Sequence, residues 1–218
     1  MVSTSPSVVY RYGDGLYINL TNKCPTACSF CVKTLWKMEY RGSNLDLGGF
    51  EPQPAQIAAL AAEAYAQKSF RELVFCGYGE PTMRLNALIE TARLVRSGAA
   101  APVPAAMRIR LTTNGLANMV WNRNVVPELK GLFDSVHVSI NASEPRRWAE
   151  LMRPEARYAE NGFESVKDFT REAARLLPET VATIIECDAQ EAEAFKKLAA
   201  SLGAAVRIRA RLQSGVTP

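Results

Sequence analysis

Apolar and polar residues alternate in six short runs, at residues 16–20, 72–76, 107–112, 135–140, 181–186 and 206–209. In the third run Met107, Ile109 and Leu111 share one face while Arg108, Arg110 and Thr112 share the other. In the fourth, Val136, Val138 and Ile140 oppose His137, Ser139 and Asn141; in the last, Val206 and Ile208 oppose Arg207, Arg209 and Arg211. A period of two marks strands with one buried face. Between these runs the period lengthens to that of a helix. Residues 54–68 are good helix formers with Pro54 near the first turn. Leu85, Leu88, Ile89 and Val95 fall on one face of residues 85–96, and 163–177 and 189–202 follow the same pattern, the last stopping at Gly203, a natural C-cap. Residues 97–106, SGAAAPVPAA, are the one low-complexity stretch and read as a flexible helix-to-strand loop away from the chemistry.

Strands alternating with helices predict a parallel sheet with right-handed crossovers. A doubly wound sheet buries both faces, so its strands read as nearly continuous apolar runs. Here half of the strands keep a polar face. The expected fold class is therefore α/β, a partial (β/α)6 barrel with helices outside and a polar cleft inside, formed by residues 1–218 as one domain. Inward parity carries His137, Ser139, Arg108, Arg110, Arg207 and Arg209, and Cys76 if its strand stays regular.

The composition, 48% hydrophobic and 22% charged over 218 residues, is that of a globular chain and excludes disordered, collagen-like and disulfide-scaffold proteins. No run of about 20 apolar residues offers a membrane span. The opening MVSTSPSVVY lacks a basic segment followed by an apolar one, so the cytoplasm is the expected compartment. A net charge of +4 is too mild to mark a dedicated nucleic-acid binder. Of five cysteines, Cys24, Cys28 and Cys31 crowd into C-x3-C-x2-C directly after the first strand. That is the C-terminal strand end, where parallel barrels carry their sites. Three thiolates can hold three corners of a [4Fe–4S] cluster and leave one iron open. Structural zinc needs a fourth ligand, for which the chain offers Cys76, Cys187 or His137. Spacing alone leaves both metals open.

The cysteine motif reads CPTACSFC, with Phe30 just before the third cysteine; GYGEPT (77–82) follows the second strand, TTNG (112–115) the third, and VSINAS (138–143) ends the fourth. Together these elements resemble the radical S-adenosylmethionine (SAM) superfamily, over nearly the whole chain. The match is nearest to the short TatD-associated radical SAM proteins, through NLTNKCPTACSFC, VFCGYGEPTMR, TNGL, SINA and the RIR at 207–209. The resemblance implies a [4Fe–4S] cluster on Cys24, Cys28 and Cys31. SAM would chelate the open iron, and one electron, from a donor such as flavodoxin or ferredoxin, would cleave it to methionine and a 5′-deoxyadenosyl radical that takes hydrogen from a substrate. It further implies that Glu80, with Gly77 and Gly79 letting the chain approach, meets the methionyl ammonium, a charge-assisted contact. By matching motif, Thr113, Asn114, Ser139 and Asn141 meet the ribose and carboxylate, and Phe30 lies beside cluster and adenine.

Motifs do not settle the remaining inward groups. His137, Cys76, Arg207 and Arg209 are the candidates for substrate contact, and Met152-Arg153-Pro154 is a further mouth-side loop; Arg108 is expected in a salt bridge at the strand bottoms. Buried charges need partners; Glu186 and the carboxylate of SAM can satisfy some of these arginines and an anionic substrate the rest, so an anionic small molecule is the expected substrate. An activase acting on a partner protein, a nucleic-acid-modifying enzyme, and a non-catalytic zinc or electron-transfer module are the alternatives.

Overall fold

The computed structural model describes residues 5–211. The chain opens with strands β1 (Val9–Tyr12) and β2 (Gly15–Ile18), an antiparallel hairpin turned at Gly13, whose φ of +55° suits glycine. Past β2 come the cysteine loop, a single helical turn α1 (Val32–Leu35) and a small ribbon of β3 (Glu39–Tyr40) and β4 (Ser43–Asn44). From there strands and helices alternate: α2 (Pro54–Gln67), β5 (Glu72–Phe75), a 3-10 turn (Pro81–Arg84) leading into α3 (Leu85–Arg96), β6 (Arg108–Thr113), α4 (Ala117–Val120) and β7 (Ser135–Ser139). The chain continues through α5 (Pro145–Met152), α6 (Ala156–Ala159), α7 (Gly162–Leu176), β8 (Glu179–Ile185), α8 (Ala189–Ser201) and β9 (Ala205–Arg209).

Seven strands form one open sheet in the order β1-β2-β5-β6-β7-β8-β9, parallel from β2 onward, with β1 and β9 at its edges. The six parallel strands are the six read from the alternation. Leu16, Ile18, Leu73, Phe75, Ile109, Leu111, Val136 and Val138 are at most 1% exposed. They pack in one core with Ile57 of α2, Leu85 and Leu88 of α3, Phe169 of α7 and Phe195 of α8. The apolar parity thus faces the helices and the polar parity faces the cleft. The short helices α1, α4, α5 and α6 were not expected, nor, among the strands, were β1 and the β3–β4 ribbon, which turns at Arg41 and Gly42, both with positive φ as a type I′ turn requires.

Residues 97–106 correct the expectation of a flexible loop. Ala100 and Val103 are 1% and 2% exposed and belong to the core, and successive turns bond Ala101 N to Gly98 O and Val103 N to Ala100 O. Arg96, at the end of α3, fixes the segment. Its guanidinium donates to the carbonyls of Ala105, Met107 and Leu132 and pairs with Asp134 at 2.6 Å, while the same Asp134 oxygen accepts from Ile109 N at 2.7 Å. Arg108, as expected, lies at the strand bottoms, bridged to Glu72 and Glu179 at 3.2 and 2.5 Å. Among the described residues no helix is long and apolar enough to cross a membrane. Since Arg96 satisfies three carbonyls and one carboxylate far from the cysteine loop, Arg96→Ala is expected to cost about 2–3 kcal/mol of unfolding free energy. Urea denaturation checks this, with iron loading of the cysteines unchanged.

Candidate functional site

Beyond Ile18 the chain leaves the sheet, and two asparagines take over its hydrogen bonding. Asn19, fully buried, donates to Leu45 O at 2.8 Å and accepts from Tyr78 N at 3.2 Å. Asn22 donates to the same carbonyl at 3.0 Å and accepts from Leu47 N at 2.7 Å. The loop after β5 lies directly on this segment. A Cβ on Gly77 would stand 2.3 Å from Asn19 Oδ1, one on Gly79 2.2 Å from Thr21 O and 2.8 Å from Lys23 O, and Glu80 N donates to Lys23 O at 2.9 Å. The two glycines therefore serve the contact of chain on chain, a use the sequence reading had given to ligand approach.

Cys24, Cys28 and Cys31 are all half-buried. Thr26 Oγ1 lies 3.3 Å from Cys24 Sγ and 3.4 Å from Cys28 Sγ, and Cys31 precedes the first turn of α1. Cys28 Sγ is 3.8 Å from Met152 Sδ, and Asn114 Nδ2 is 3.9 Å from Cys24 Sγ. The far side of the loop is stitched to the end of α5 by Ala27 N to Arg153 O, Ser29 N to Leu151 O and Glu155 N to Pro25 O. The Met152-Arg153-Pro154 segment thus clamps the cysteine loop, a role that spacing did not signal.

Burial raises the Cys24 and Cys28 thiols, the latter to about 12, so a metal would have to displace their protons. Among the described residues no three Cys, His, Asp or Glu side chains stand close enough to hold a single metal ion, whereas in a cube each thiolate binds a different iron. The donor set still fits a [4Fe–4S] cluster better than structural zinc. It offers three soft thiols on one loop beside the buried core, with Cys76 in a separate cavity and Cys187 exposed. Phe30 packs beside them, half-buried against the main core.

Glu80 is 3% exposed and its carboxylate is filled by the protein: Oε1 accepts from Thr82 N, Thr82 Oγ1 and Thr113 Oγ1 at 3.1, 2.7 and 2.8 Å, and Oε2 from Asn114 N at 2.7 Å. Burial pushes this carboxyl up and the donors pull it back. Its side chain thereby ties the β5 and β6 loops together. Asn141 holds a left-handed backbone, φ +64°, while its amide donates to Ser139 O at 3.2 Å and to Met152 Sδ at 3.3 Å. The Ser139 hydroxyl meets Thr183 Oγ1 at 3.5 Å. The cysteines, Glu80, Thr113, Asn114, Ser139 and Asn141 are thus gathered at one end of the sheet.

Beneath them the polar face encloses a cavity of about 430 Å³. His137, Cys76, Arg207 and Arg209 all line it, together with Gly77 and Tyr78 of GYGEPT and Thr112 of TTNG. Two kinds of arginine meet there. Arg110 is neutralised by Glu72 at 2.9 Å and donates to Tyr17 Oη at 3.1 Å. Arg209 donates only to Asn141 Oδ1, at 3.2 Å; its Nε is buried without a partner, and burial and Arg207 hold its guanidinium below the usual range. Among the described residues no carboxylate lies within ion-pair distance of Arg207 or Arg209. Burial, aided by Arg110 and Arg207, pushes His137 down to about 4, against opposing pulls from Glu179 and Glu72.

Two outcomes follow from this geometry. Gly79→Ala drives a methyl into Thr21 O and Lys23 O, and about 3 kcal/mol of stability is lost. Iron taken up by the cysteines on anaerobic reconstitution falls with it, as calorimetry and iron analysis would show. His137 lies below its ordinary value near 6.5, so the native state binds fewer protons than the unfolded chain. Its contribution to stability is complete above that value and is lost as the pH falls towards 4. Unfolding free energies from urea titrations should decline between pH 7 and 4 by about 2 kcal/mol more in the parent than in His137→Gln, after allowance for solvent screening.

The likeness of this arrangement to known proteins is consistent. The solved structure of Streptococcus suis SuiB bound to precursor peptide SuiA superposes with a TM-score of 0.65 at 9% identity, covering 96% of this chain and 43% of that one. Methylornithine synthase (PylB) gives 0.60 at 13% identity, covering 94% and 55%. The radical S-adenosylmethionine methyltransferase TsrM from Kitasatospora setae, with cobalamin and a [4Fe–4S] cluster bound, gives 0.53 at 15% identity, covering 86% and 35%. At these identities the likeness is one of fold, and the chain spans only about a third to somewhat over half of each. No curated protein matches the sequence significantly. Residues 18–198 match the radical SAM superfamily. That span runs from the end of β2 into α8 and takes in the cysteine loop, the loops after β5, β6 and β7, and the open parallel sheet; the chain belongs to the radical SAM superfamily, whose members use a [4Fe–4S] cluster and SAM.

Proposed function

We propose that the protein is a radical SAM enzyme that takes a hydrogen atom from a small anionic molecule held in the cavity beneath the cysteine loop. Cys24, Cys28 and Cys31 would hold the [4Fe–4S] cluster, with no fourth protein ligand to close the remaining iron. When bound and supplied with one electron by a flavodoxin- or ferredoxin-like donor, cluster and SAM furnish a 5′-deoxyadenosyl radical. The chain's own part is to bind, orient and exclude water. Asn114 and Asn141 stand beside the cysteine loop with amides that suit ribose hydroxyls and a carboxylate. Glu80, whose oxygens are already occupied, would act by fixing the loops around SAM.

The observation that carries the substrate reading is Arg209. A half-buried guanidinium whose Nε is buried and unpartnered, with no counter-charge among the described residues, is costly. An anion in the cavity supplies the missing partner, and Arg207 beside it adds a second positive charge. A volume of about 430 Å³ lies in the range of small-molecule sites. A peptide is the second reading, favoured by SuiB, a structural neighbour solved with its precursor peptide. A peptide would enter where the sheet is open, between β1 and β9.

The test uses anaerobically reconstituted protein mixed with SAM and dithionite, with 5′-deoxyadenosine read by chromatography. The expected outcome is a brown protein that forms 5′-deoxyadenosine, and a Cys28→Ala variant that forms none. A colourless, zinc-loaded protein inert towards SAM would overturn the assignment.

A further inference from the structure

The cavity has a second wall with a composition of its own. Of the chain's seven tyrosines, five line it: Tyr10, Tyr12, Tyr17, Tyr40 and Tyr78. Four of these close a ring of contacts, Tyr10–Tyr17 at 5.4 Å between centroids, Tyr17–Tyr12 at 5.5 Å, Tyr12–Tyr40 at 6.0 Å and Tyr40–Tyr10 at 5.6 Å, with Trp36 5.9 Å from Tyr40. A wall meant only to be apolar could be built from Leu, Ile and Val; this one is nearly all aromatic. Three of its hydroxyls are bonded to the protein: Tyr10 Oη donates to Cys76 O and Tyr78 Oη to Glu39 O, both at 2.9 Å, and Tyr17 Oη accepts from Arg110. With those hydroxyls engaged, rings are what this wall offers a ligand. Adjacent rings are inclined by 35° to 87°. Tyr40 and Tyr78, 4% and 5% exposed, form the packed base of the wall, and the half-buried Tyr10 and Tyr17 and the exposed Tyr12 keep ring surface on which a further planar ring can stack or meet an edge.

Opposite stand Arg207 and Arg209 without carboxylate partners. Cys76 joins the two walls: its carbonyl receives the Tyr10 hydroxyl, and its thiol lies in the field of Arg110 and Arg209. A cluster of aromatic rings can also hold an organic cation. Here Arg207 and Arg209 repel one, and Glu72, which faces the same cleft, is already engaged by Arg110 and Arg108.

We propose that this cavity recognises a planar aromatic anion, its ring against Tyr10, Tyr12 and Tyr17 and its charged group on Arg207 and Arg209. The assignment rests on the small-anion reading above and narrows it to a class with two members, aromatic carboxylates and nucleotides. SAM itself carries an aromatic ring, but Phe30, Glu80, Thr113, Asn114, Ser139 and Asn141, the side chains that the resemblance assigns to it, do not line this cavity.

Saturation-transfer NMR titrations on the reconstituted protein with SAM present test this, using phenylacetate, cyclohexylacetate, phenethylamine and guanosine monophosphate as probes. Phenylacetate or guanosine monophosphate, according to which source is right, binds. Phenylacetate exceeds cyclohexylacetate by about fivefold, the preference expected of ring-on-ring contact; phenethylamine does not bind. Arg209→Gln, and independently the exposed Arg207→Gln, weaken the anions by about tenfold or more. Tyr12→Leu, at a position 43% exposed and tolerant of change, brings the two acetates to near-equal affinity. The proposal is overturned by equal binding of the two acetates to the parent protein, by tighter binding of phenethylamine, or by probes that bind only when SAM is left out, which would give the cavity to the adenosyl group. Formation of 5′-deoxyadenosine without binding of any aromatic anion would sink this inference and leave the radical SAM reading standing. Binding of the anions by a protein that never cleaves SAM would do the reverse.

Discussion

The upper end of this sheet depends on the close approach of two loops, and on the buried carboxylate that holds a third against them. Gly77 and Gly79 let the β5 loop touch the backbone of residues 19–23, and the Glu80 amide bonds to Lys23 O within that contact. The Glu80 side chain then reaches to Thr113 and Asn114 on the β6 loop. A buried carboxylate is expensive unless its lone pairs are filled. Four donors fill them here, so a group that would otherwise destabilise the fold specifies how three loops meet. The cysteines sit on one of those loops, and their positions follow from that junction and from the α5 clamp at Leu151 and Arg153.

Much of the frame was legible because parallel strands around a wet cleft must alternate. His137, Ser139, Arg110, Arg207 and Arg209 share the inward parity that their spacing dictates, and the cysteine motif falls at the strand end where chemistry belongs. What the spacing did not signal were contacts between segments far apart in the chain. A glycine beside a ligand and a glycine beside another backbone look alike in sequence. Residues 97–106 resembled a linker because Ala, Val and Pro punctuate loops, yet Ala100 and Val103 close the core. The tyrosine wall was invisible for the same cause. Its members are spread from Tyr10 to Tyr78 and meet through β1 and the β3–β4 ribbon, the strands that the periodicity did not announce. Both are short, and one is two residues per strand, below the length at which alternation carries a signal.

Those two elements also divide the labour of the molecule. The six parallel strands and their helices carry the cysteines and the motif residues. The antiparallel β1 and the ribbon add Tyr10, Tyr12 and Tyr40 to the cavity alongside Tyr17 of β2. The arginines sort in the same way. Arg96, Arg108 and Arg110 are bonded to Asp134, Glu72 and Glu179 and stabilise the frame. Arg207 and Arg209 lie at the edge strand, where Glu186 bonds the Arg209 carbonyl through its backbone N–H and no carboxylate among the described residues forms an ion pair with either guanidinium.

Arg209 is also where cavity and cysteine loop come into mechanical contact. Its guanidinium bonds Asn141 Oδ1, the Asn141 amide reaches Met152 Sδ, and that sulfur lies against Cys28 Sγ. Asn141 holds this place with φ at +64°, a conformation that costs an L-residue about 1–2 kcal/mol and that asparagine tolerates better than most. Strain of that size persists only where the surroundings fix the residue, and here both ends of its amide and the Ser139 carbonyl do so. An anion that draws Arg209 towards the cavity pulls on Asn141 Oδ1, and through one thioether on the packing of a cysteine. Charge at one end and sulfur at the other are thereby joined by three side chains, with no flexible segment between them.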